Sequence, residues 1–289
     1  MEIKVFKINA FAKTVKGGNP AGVVANADEL SENDMKKIAG IVGLSETAFV
    51  MKSDVADFRV RFFTPTEEVD LCGHATIGTF STLLKKGYIQ CGNYTQETKA
   101  GILNVAVRED ASIMMNQAKP SFYEIIEKTE IADSLNISVA DINEALPVQI
   151  VSTGIKDIII PIRNMNVLRS IKPDFSMISN ISKKYSVIGY HLYARESLNN
   201  SSVHCRNFAP LYGIPEESAT GTSNGALACY LLKYNQITPE YAKNVSFAQG
   251  DSMNRPSEIM ISISVENDEI HEVRVGGKAL NLTEIKIEV

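Results

Sequence analysis

Two stretches of this 289-residue chain carry no Asp, Glu, Lys or Arg, and both are predicted to be helical. The first covers 71–84 and the second 218–232, and each is followed at once by a lysine, Lys85 or Lys233. A surface helix normally keeps a charged face, so a helix without one is buried on nearly all sides. Each of these helices therefore needs a surrounding shell of its own, which predicts a chain of two lobes.

The residues around the two stretches repeat in the same order. The motif Arg-x-Phe-x-Pro stands at 61–65 before the first stretch and at 206–210 before the second. Aligning the helical stretches places Gly73 on Gly221 and Cys72 on Thr220. A shared order of this kind indicates an internal duplication. We therefore expect two lobes of similar fold, one around each buried helix.

Short apolar or alternating segments on both sides of these helices predict strands. In the first half they are 3–11, 21–25, 47–51, 57–63, 103–107 and 113–116, and in the second 158–162, 187–194, 206–209, 258–265 and 272–275. A capping box at 31–34 predicts a further helix that ends at Gly43, and Gly276-Gly277 is predicted to be a turn. The fold class is therefore α+β, with an N-terminal lobe at 1–118 and a C-terminal lobe at 119–277.

Charge and residue spacing exclude several classes of protein. The chain has 29 Lys and Arg against 34 Asp and Glu, a net charge of −5, and no basic stripe that would bind nucleic acid. It has neither an apolar run long enough to cross a membrane nor an N-terminal apolar region typical of a signal peptide, so we expect a cytoplasmic protein. The cysteines and histidines lack the spacing of a zinc site, so no metal is expected.

Both predicted helices begin with glycine and small residues, which points to an anion site. The first N–H groups of a helix have no partner within it and carry partial positive charge. If both helix starts face one cleft, the amides near Gly73, Gly221 and Ser223 are expected to hold a carboxylate. His74 lies in the same first turn, where the helix dipole favours a neutral imidazole. The alternative is that these residues only cap two structural helices.

Four segments, in this order, resemble the PhzF-like isomerase family of phenazine biosynthesis. They are GGNPAGVV, LSETAFV, DLCGHATIGTF and EESATGTSNGALACYLL, and they span nearly the whole chain. The resemblance implies the fold of diaminopimelate epimerase: two lobes, each a strongly curved antiparallel sheet or barrel around a central helix. It also implies a homodimer, no cofactor, and a last strand at about 278–289 that returns to the first lobe.

The resemblance also assigns roles to particular residues. It implies that Glu46, in the S-E-T-A-F motif, moves a proton on a small cyclic carboxylic acid. The other residues that it implies for catalysis are His74, Glu217 and Thr222, and those implied for substrate binding are Asn19, Gly73, Gly221 and Ser223. Glu217 and Thr222 stand where the family commonly has Asp and Ser; each keeps the functional group, but Glu217 is one methylene longer and Thr222 carries an extra methyl.

Other interpretations remain open from the residues. Related racemases use two thiols, one at the start of each central helix, and Cys72 stands at the first such place. The repeat puts Thr220 at the second, and a threonine hydroxyl is too weakly acidic to be a resting base. An epimerase or racemase is therefore the second choice. A protein that only binds a small carboxylate would need the helix starts but not Glu46, which would then be a solvated glutamate at a strand edge.

Overall fold

The computed structural model describes residues 1–195 and 203–289. By the density of internal contacts the chain divides into two compact units. Unit 1 is formed by Met1–Asn116 together with Gly276–Val289, and unit 2 by Gln117–Val275. Among the described residues, no helix is both long and apolar enough to cross a membrane.

Unit 1 consists mainly of strands around one buried helix. Its helices are α1 (Glu32–Val42) and α2 (Gly73–Lys85). Its strands are β1 (Glu2–Ala10), β2 (Asn19–Val24), β3 (Thr47–Met51), β4 (Phe58–Phe63), β5 (Glu68–Val69), β6 (Gly92–Thr98), β7 (Gly101–Val107), β8 (Ile113–Asn116) and β18 (Ala279–Glu288). The last strand pairs antiparallel with β1.

Helix α1 begins and ends where its sequence predicts. The Ser31 hydroxyl accepts from the Asp34 amide while the Asp34 carboxylate accepts from the Ser31 amide, which completes the capping box. Gly43 ends the helix in the left-handed conformation, at φ 64°. The face that carries Met35 and Ile38 is buried, and the helix lies against β3 and β4.

Helix α2 is buried along its length, as the missing charges predict. It lies against β1, β2, β3, β7, β8 and β18 of its own unit. Its buried threonines satisfy their hydroxyls within the helix, since each donates to the carbonyl oxygen four residues earlier. These bonds run from Thr76 to Cys72, from Thr79 to Ala75 and from Thr82 to Gly78. The helix therefore buries polar side chains without leaving these hydroxyls unpaired.

Unit 2 also consists of strands around one buried helix, and it has more helices than unit 1. Its helices are α3 (Lys128–Leu135), α4 (Met165–Ser170), α5 (Phe175–Tyr185), α6 (Gly221–Lys233) and α7 (Pro239–Ala242). Its strands are β9 (Ser121–Ile126), β10 (Val148–Ser152), β11 (Lys156–Pro161), β12 (Gly189–Arg195), β13 (Val203–Ala209), β14 (Ile214–Glu217), β15 (Val245–Gln249), β16 (Ser257–Glu266) and β17 (Glu269–Gly277). Helix α6 lies against β10, β11, β12 and β16.

Strand pairing repeats between the units. In unit 1, β2 pairs parallel with β3, β3 antiparallel with β4, and β4 parallel with β6. In unit 2, β11 pairs parallel with β12, β12 antiparallel with β13, and β13 parallel with β15. The parallel pairs stand in otherwise antiparallel sheets because a helix connects their strands and brings the chain back in the same direction.

The two central helices match residue by residue. Each has 13 residues, and they begin at the aligned Gly73 and Gly221 and end at the aligned Lys85 and Lys233. Cys72 and Thr220 precede them as the N-cap residues, in extended backbone. The alignment made from the sequence therefore holds in the structure.

The predicted turn at Gly276-Gly277 is wrong, because both residues lie within β17. Gly276, which belongs to unit 1 as Ile113 does, is required for a different reason. A Cβ atom at this position would lie 1.9 Å from the carbonyl oxygen of Ile113. The glycine therefore allows two backbones to approach closely.

Candidate active site

Glu46 and His74 meet in unit 1. Glu46 lies in the short connection between α1 and β3, and its carbonyl oxygen accepts a hydrogen bond from the Gly22 amide of β2. His74 is the second residue of α2. Glu46 Oε2 is 3.2 Å from His74 Nε2, and the two side chains are 18% and 7% exposed. Glu46 is therefore a largely enclosed carboxylate beside an imidazole, and not a solvated glutamate at a strand edge.

Cys72 and Ser45 complete the surroundings of the imidazole. The thiol sulfur of Cys72 is 3.4 Å from His74 Nδ1, and the Ser45 hydroxyl is 3.4 Å from Nε2. Glu46 Oε2 is itself buried and makes no hydrogen bond within the part of the chain that the structure describes. A carboxylate oxygen with an unused lone pair, next to a group that can give or take a proton, has the arrangement that acid–base catalysis requires.

Glu46, Cys72 and His74 also have the ligand atoms of a metal site. One such atom from each lies within 4.8 Å of the other two, and within residues 1–195 and 203–289 this is the one group of its kind. We call it the Glu46–Cys72–His74 cluster. Sequence spacing does not show it, because Glu46 comes from a different element than the other two residues and the fold brings it alongside them.

The remaining unit 1 residues predicted for the site are Asn19 and Gly73. Asn19 is the first residue of β2 and is buried. Gly73 is the first residue of α2, and the first intrahelical bond from the Thr76 amide reaches back to the Cys72 carbonyl. The amides of Gly73 and His74 precede that bond, so they are the groups of α2 suited to hold an anion.

Glu217, in unit 2, is tied to the start of α6. Its carboxylate accepts a 2.5 Å hydrogen bond from the hydroxyl of Thr220. The side chain of Gln249 donates to the Glu217 carbonyl at 2.8 Å and accepts from the Thr220 amide at 3.2 Å. Thr220, the counterpart of Cys72, is therefore a hydrogen-bond donor to the acidic residue that precedes its helix.

Gly221, Thr222 and Ser223 form the first turn of α6, and they differ in exposure. Gly221 and Thr222 are half-buried, whereas Ser223 is buried. The carbonyl of Thr222 accepts a hydrogen bond from Thr153 at 3.0 Å. The Ser223 hydroxyl donates to Asp157 at 2.6 Å and accepts from Asn207 at 3.3 Å. Because the Ser223 hydroxyl is turned inward, only its backbone amide is suited to bind a ligand.

Asp157 and His191, which the sequence analysis did not select, lie beneath this helix start. Burial raises the pKa of the Asp157 carboxyl from near 3.8 to about 7; the Ser223 hydrogen bond opposes the rise and the negative charge of Glu217 adds to it. Burial also lowers the pKa of His191 to about 3. Asn207 Nδ2 lies 3.2 Å from His191 Nδ1. The signal that could have found Asp157 is a carboxylate within the otherwise apolar strand β11.

Comparison with known proteins shows the family of this chain. The family model for phenazine biosynthesis-like proteins (PhzC-PhzF) matches residues 8–284. An uncharacterized isomerase of Clostridium acetobutylicum is 36% identical over 96% of this chain and 95% of its own length. The trans-2,3-dihydro-3-hydroxyanthranilate isomerase of Pseudomonas chlororaphis is 28% identical over 94% of this chain and 95% of its own.

A solved structure of another protein matches the fold of this chain over its full length. The crystal structure of a PhzF-family phenazine biosynthesis protein from Bacillus anthracis matches with a TM-score of 0.91 and 33% sequence identity, covering 100% of both chains. The predicted α+β fold class is confirmed by this match, as is the resemblance seen in the four segments. Since the family model spans nearly the whole chain, this protein belongs to the phenazine biosynthesis-like (PhzF) family.

Proposed function

We propose that this chain is a cofactor-independent isomerase that moves a proton on a small, cyclic carboxylic acid, with Glu46 as the proton carrier. The observation that carries the proposal is the enclosed Glu46 carboxylate, held 3.2 Å from His74 and with an oxygen that makes no hydrogen bond to the described residues. Since Oε2 is buried while the side chain is 18% exposed, the other carboxylate oxygen, Oε1, is the one that a C–H proton can reach. General acid–base catalysis by one residue typically contributes about 10²–10⁴-fold to the rate.

One carboxylate is enough for this chemistry. Glu46 takes a proton from one carbon, the electron pair left behind shifts along the unsaturated ring, and Glu46 returns the proton to another carbon on the same face. His74, whose Nε2 lies 3.2 Å from Oε2, passes a proton where the reaction needs one. The P. chlororaphis relative is named for an isomerase of a dihydro-hydroxyanthranilate, which is a cyclic carboxylic acid of this class.

The substrate carboxylate is held by backbone amides at the helix starts. On α2 these are the amides of Gly73 and its neighbour, with Asn19 as a further binding residue. On α6 they are the amides of Gly221 and Ser223, and Glu217 and Thr222 position the ring or pass protons. We propose that the enzyme works as a homodimer. Placement to within a fraction of an ångström matters here, since proximity accounts for much of a catalysed rate.

An epimerase or racemase with two opposed thiols is disfavoured by Thr220. Its hydroxyl donates to Glu217, so at the second helix start a hydrogen-bond donor stands where the racemase needs a base. A protein that only binds small carboxylates would use the same helix starts. This alternative differs from the isomerase in one respect, which is that it has no use for a buried, unpaired oxygen on Glu46.

Hydrogen–deuterium exchange tests the proposal directly. The enzyme is incubated in D2O with trans-2,3-dihydro-3-hydroxyanthranilate and a panel of related cyclic acids, and NMR follows deuterium entering the ring carbons. We expect incorporation with at least one acid, its loss in Glu46→Gln, and normal incorporation in Glu67→Gln, which changes an exposed glutamate of the same unit. Saturable binding of the acids without exchange would identify a binding protein instead.

A further inference from the structure

We propose that the Glu46–Cys72–His74 cluster binds one thiophilic divalent cation, with zinc as the probe, and that the bound cation switches the enzyme off. Binding stands on the geometry of the cluster alone. The inhibitory consequence rests on the proposed function, because it requires Glu46 to be the proton carrier.

The spacing of the three side chains suits zinc. Zinc binds nitrogen and oxygen at about 2.0–2.2 Å and sulfur at about 2.3 Å, so neighbouring ligands of a tetrahedral ion stand roughly 3.3–3.6 Å apart. Glu46 Oε2 and His74 Nε2 are 3.2 Å apart, and Cys72 Sγ is 4.0 Å from the same nitrogen. Cys72 Sγ lies nearer to His74 Nδ1, at 3.4 Å, so the thiol must move toward Nε2 before all three ligand atoms, which lie within 4.8 Å of one another, reach one ion.

The chemistry of the donors is equally suited. A thiolate, an imidazole and a carboxylate are the three ligand types that zinc prefers, and a site with three protein ligands keeps a fourth position for water or another ligand. Ser45 Oγ, 3.4 Å from His74 Nε2, faces the same nitrogen. The buried Oε2 of Glu46, which makes no hydrogen bond within the described residues, is an oxygen that a cation would satisfy.

Binding releases a proton and forms no other product. Zn²⁺ replaces the thiol proton of Cys72, the proton passes to the buffer, and the imidazole and carboxylate add through their lone pairs. The affinity should therefore rise with pH. Bound in this way, the Glu46 carboxylate shares its negative charge with the cation and becomes a much weaker base for a C–H proton, so the proposed isomerisation stops.

Calorimetric titration of the metal-stripped full-length chain with Zn²⁺ tests the binding. We expect one tight site, proton release that scales with buffer ionisation enthalpy, and ultraviolet thiolate–metal absorption when Cd²⁺ replaces Zn²⁺. In Cys72→Ser the affinity should fall about 100-fold or more, because losing even a residue that only orients a ligand costs about 10–100-fold. Cys91→Ser, which removes an exposed thiol of the same unit, should bind like the parent.

Three results would overturn the site. They are no saturable binding, equal affinity in the Cys72→Ser and Cys91→Ser variants, or Cd²⁺ binding without thiolate absorption. If Cys72→Ser does not fold, Glu46→Gln takes its place, since it keeps the shape of the side chain and removes the anionic ligand. This variant must also lose the tight site.

The exchange assay in D2O then separates the two parts of the proposal. Zn²⁺ should stop deuterium incorporation by the parent at the concentration that fills the site, and a chelator should restore it. Cys72→Ser should keep its own rate at that concentration. Tight binding with undiminished exchange would leave the site standing and remove the inhibition. A parent with no exchange on any acid, but with a thiolate-dependent zinc site, would refute the proposed function and not the site.

Discussion

The hydroxyl of Ser223 donates a 2.6 Å hydrogen bond to the carboxylate of Asp157, which is fully buried beneath the start of α6. The other carboxylate oxygen of Asp157 is buried and makes no hydrogen bond within the described residues. An ionised carboxylate in such surroundings is costly unless it is paired. This explains why burial raises the pKa of Asp157 to about 7.

The first prediction is that Asp157 makes the protein less stable as the pH rises. Its pKa is raised in the folded state from near 3.8 to about 7, so between these values the folded chain binds the proton more tightly than the unfolded chain. The stabilisation is therefore complete below pH 4 and lost as the pH rises to 7. Between pH 5 and pH 8 this amounts to about 3 kcal/mol, at about 1.36 kcal/mol for each pKa unit.

Urea denaturation of wild type and Asp157→Asn at pH 5 and pH 8 measures the effect. From pH 5 to pH 8, the free energy of unfolding of the wild type should fall by about 3 kcal/mol more than that of Asp157→Asn. Asp268→Asn, at an exposed turn, is the matched control and should keep the wild-type profile. An equal change in the free energy of unfolding between pH 5 and pH 8 in wild type and Asp157→Asn would contradict the raised pKa.

The second prediction concerns His191 and has the opposite sign. Burial lowers the pKa of His191 from 6.5 to about 3, so between these values the unfolded chain binds the proton and the folded chain does not. Its contribution to stability is present above pH 6.5 and lost as the pH falls, by about 2 kcal/mol at pH 5. His191→Gln should remove this loss, whereas His271→Gln, at an exposed position, should not. If the free energy of unfolding of His191→Gln fell with decreasing pH as steeply as that of the wild type, this histidine would be protonated in the folded state as well.

The parts of the fold that depend on local sequence were predictable. The limits of α2 and α6 follow from where the charges and glycines stand, and the capping box of α1 requires only residues three apart. The helices α3, α4 and α5 were not predicted, although Asp174 caps α5 by accepting from the amides of Ser176 and Met177. Their apolar faces are short, and contact with β9–β13 stabilises them.

The candidate site could be predicted only in part. Glu46 and His74 were selected by their motifs, but the 3.2 Å between them arises from how the Glu46 connection and α2 pack within unit 1. Asp157 and His191 carry no motif and were missed. They lie on neighbouring strands, and only the pairing of β11 with β12 brings their backbones together beside α6.

The third prediction concerns an Arg–Glu ion pair that occurs once in each unit, at equivalent positions of the duplication. Arg61 contacts Glu68 with two hydrogen bonds of 2.7 and 2.8 Å, and Arg206 contacts Glu216 with two of 2.9 Å. The guanidinium of Arg61 lowers the pKa of the Glu68 carboxyl to about 2. Its stabilisation is therefore present above pH 4.5 and is lost as the pH falls towards 2.

Glu68→Gln should destabilise the protein by about 1–3 kcal/mol at pH 7, since it weakens charge-assisted bonds at a side chain only 5% exposed. Glu240→Gln, which breaks the exposed pair with Lys243, should change stability by less than about 1 kcal/mol. Equal effects for the two variants, measured by urea denaturation, would show that burial gives the Arg61–Glu68 pair no advantage.

The last prediction separates the isomerase from the thiol racemase by comparing Glu46→Gln with Cys72→Ala. Glu46→Gln removes the proposed proton carrier, so turnover should fall by at least about 10²–10⁴-fold, while a carboxylate ligand still binds because backbone amides hold it. Cys72→Ala removes a thiol that lies beside the imidazole, 3.4 Å from His74 Nδ1, and leaves Glu46 in place. The fold-loss of kcat in Cys72→Ala should be smaller than that in Glu46→Gln by at least one order of magnitude, about 1.4 kcal/mol in activation free energy.

Both variants are assayed in buffer that contains a chelator, so that bound metal does not affect the comparison, and circular dichroism verifies that each is folded. A folded Cys72→Ala protein that loses as much activity as Glu46→Gln would make the thiol the base and replace the isomerase mechanism with the racemase one.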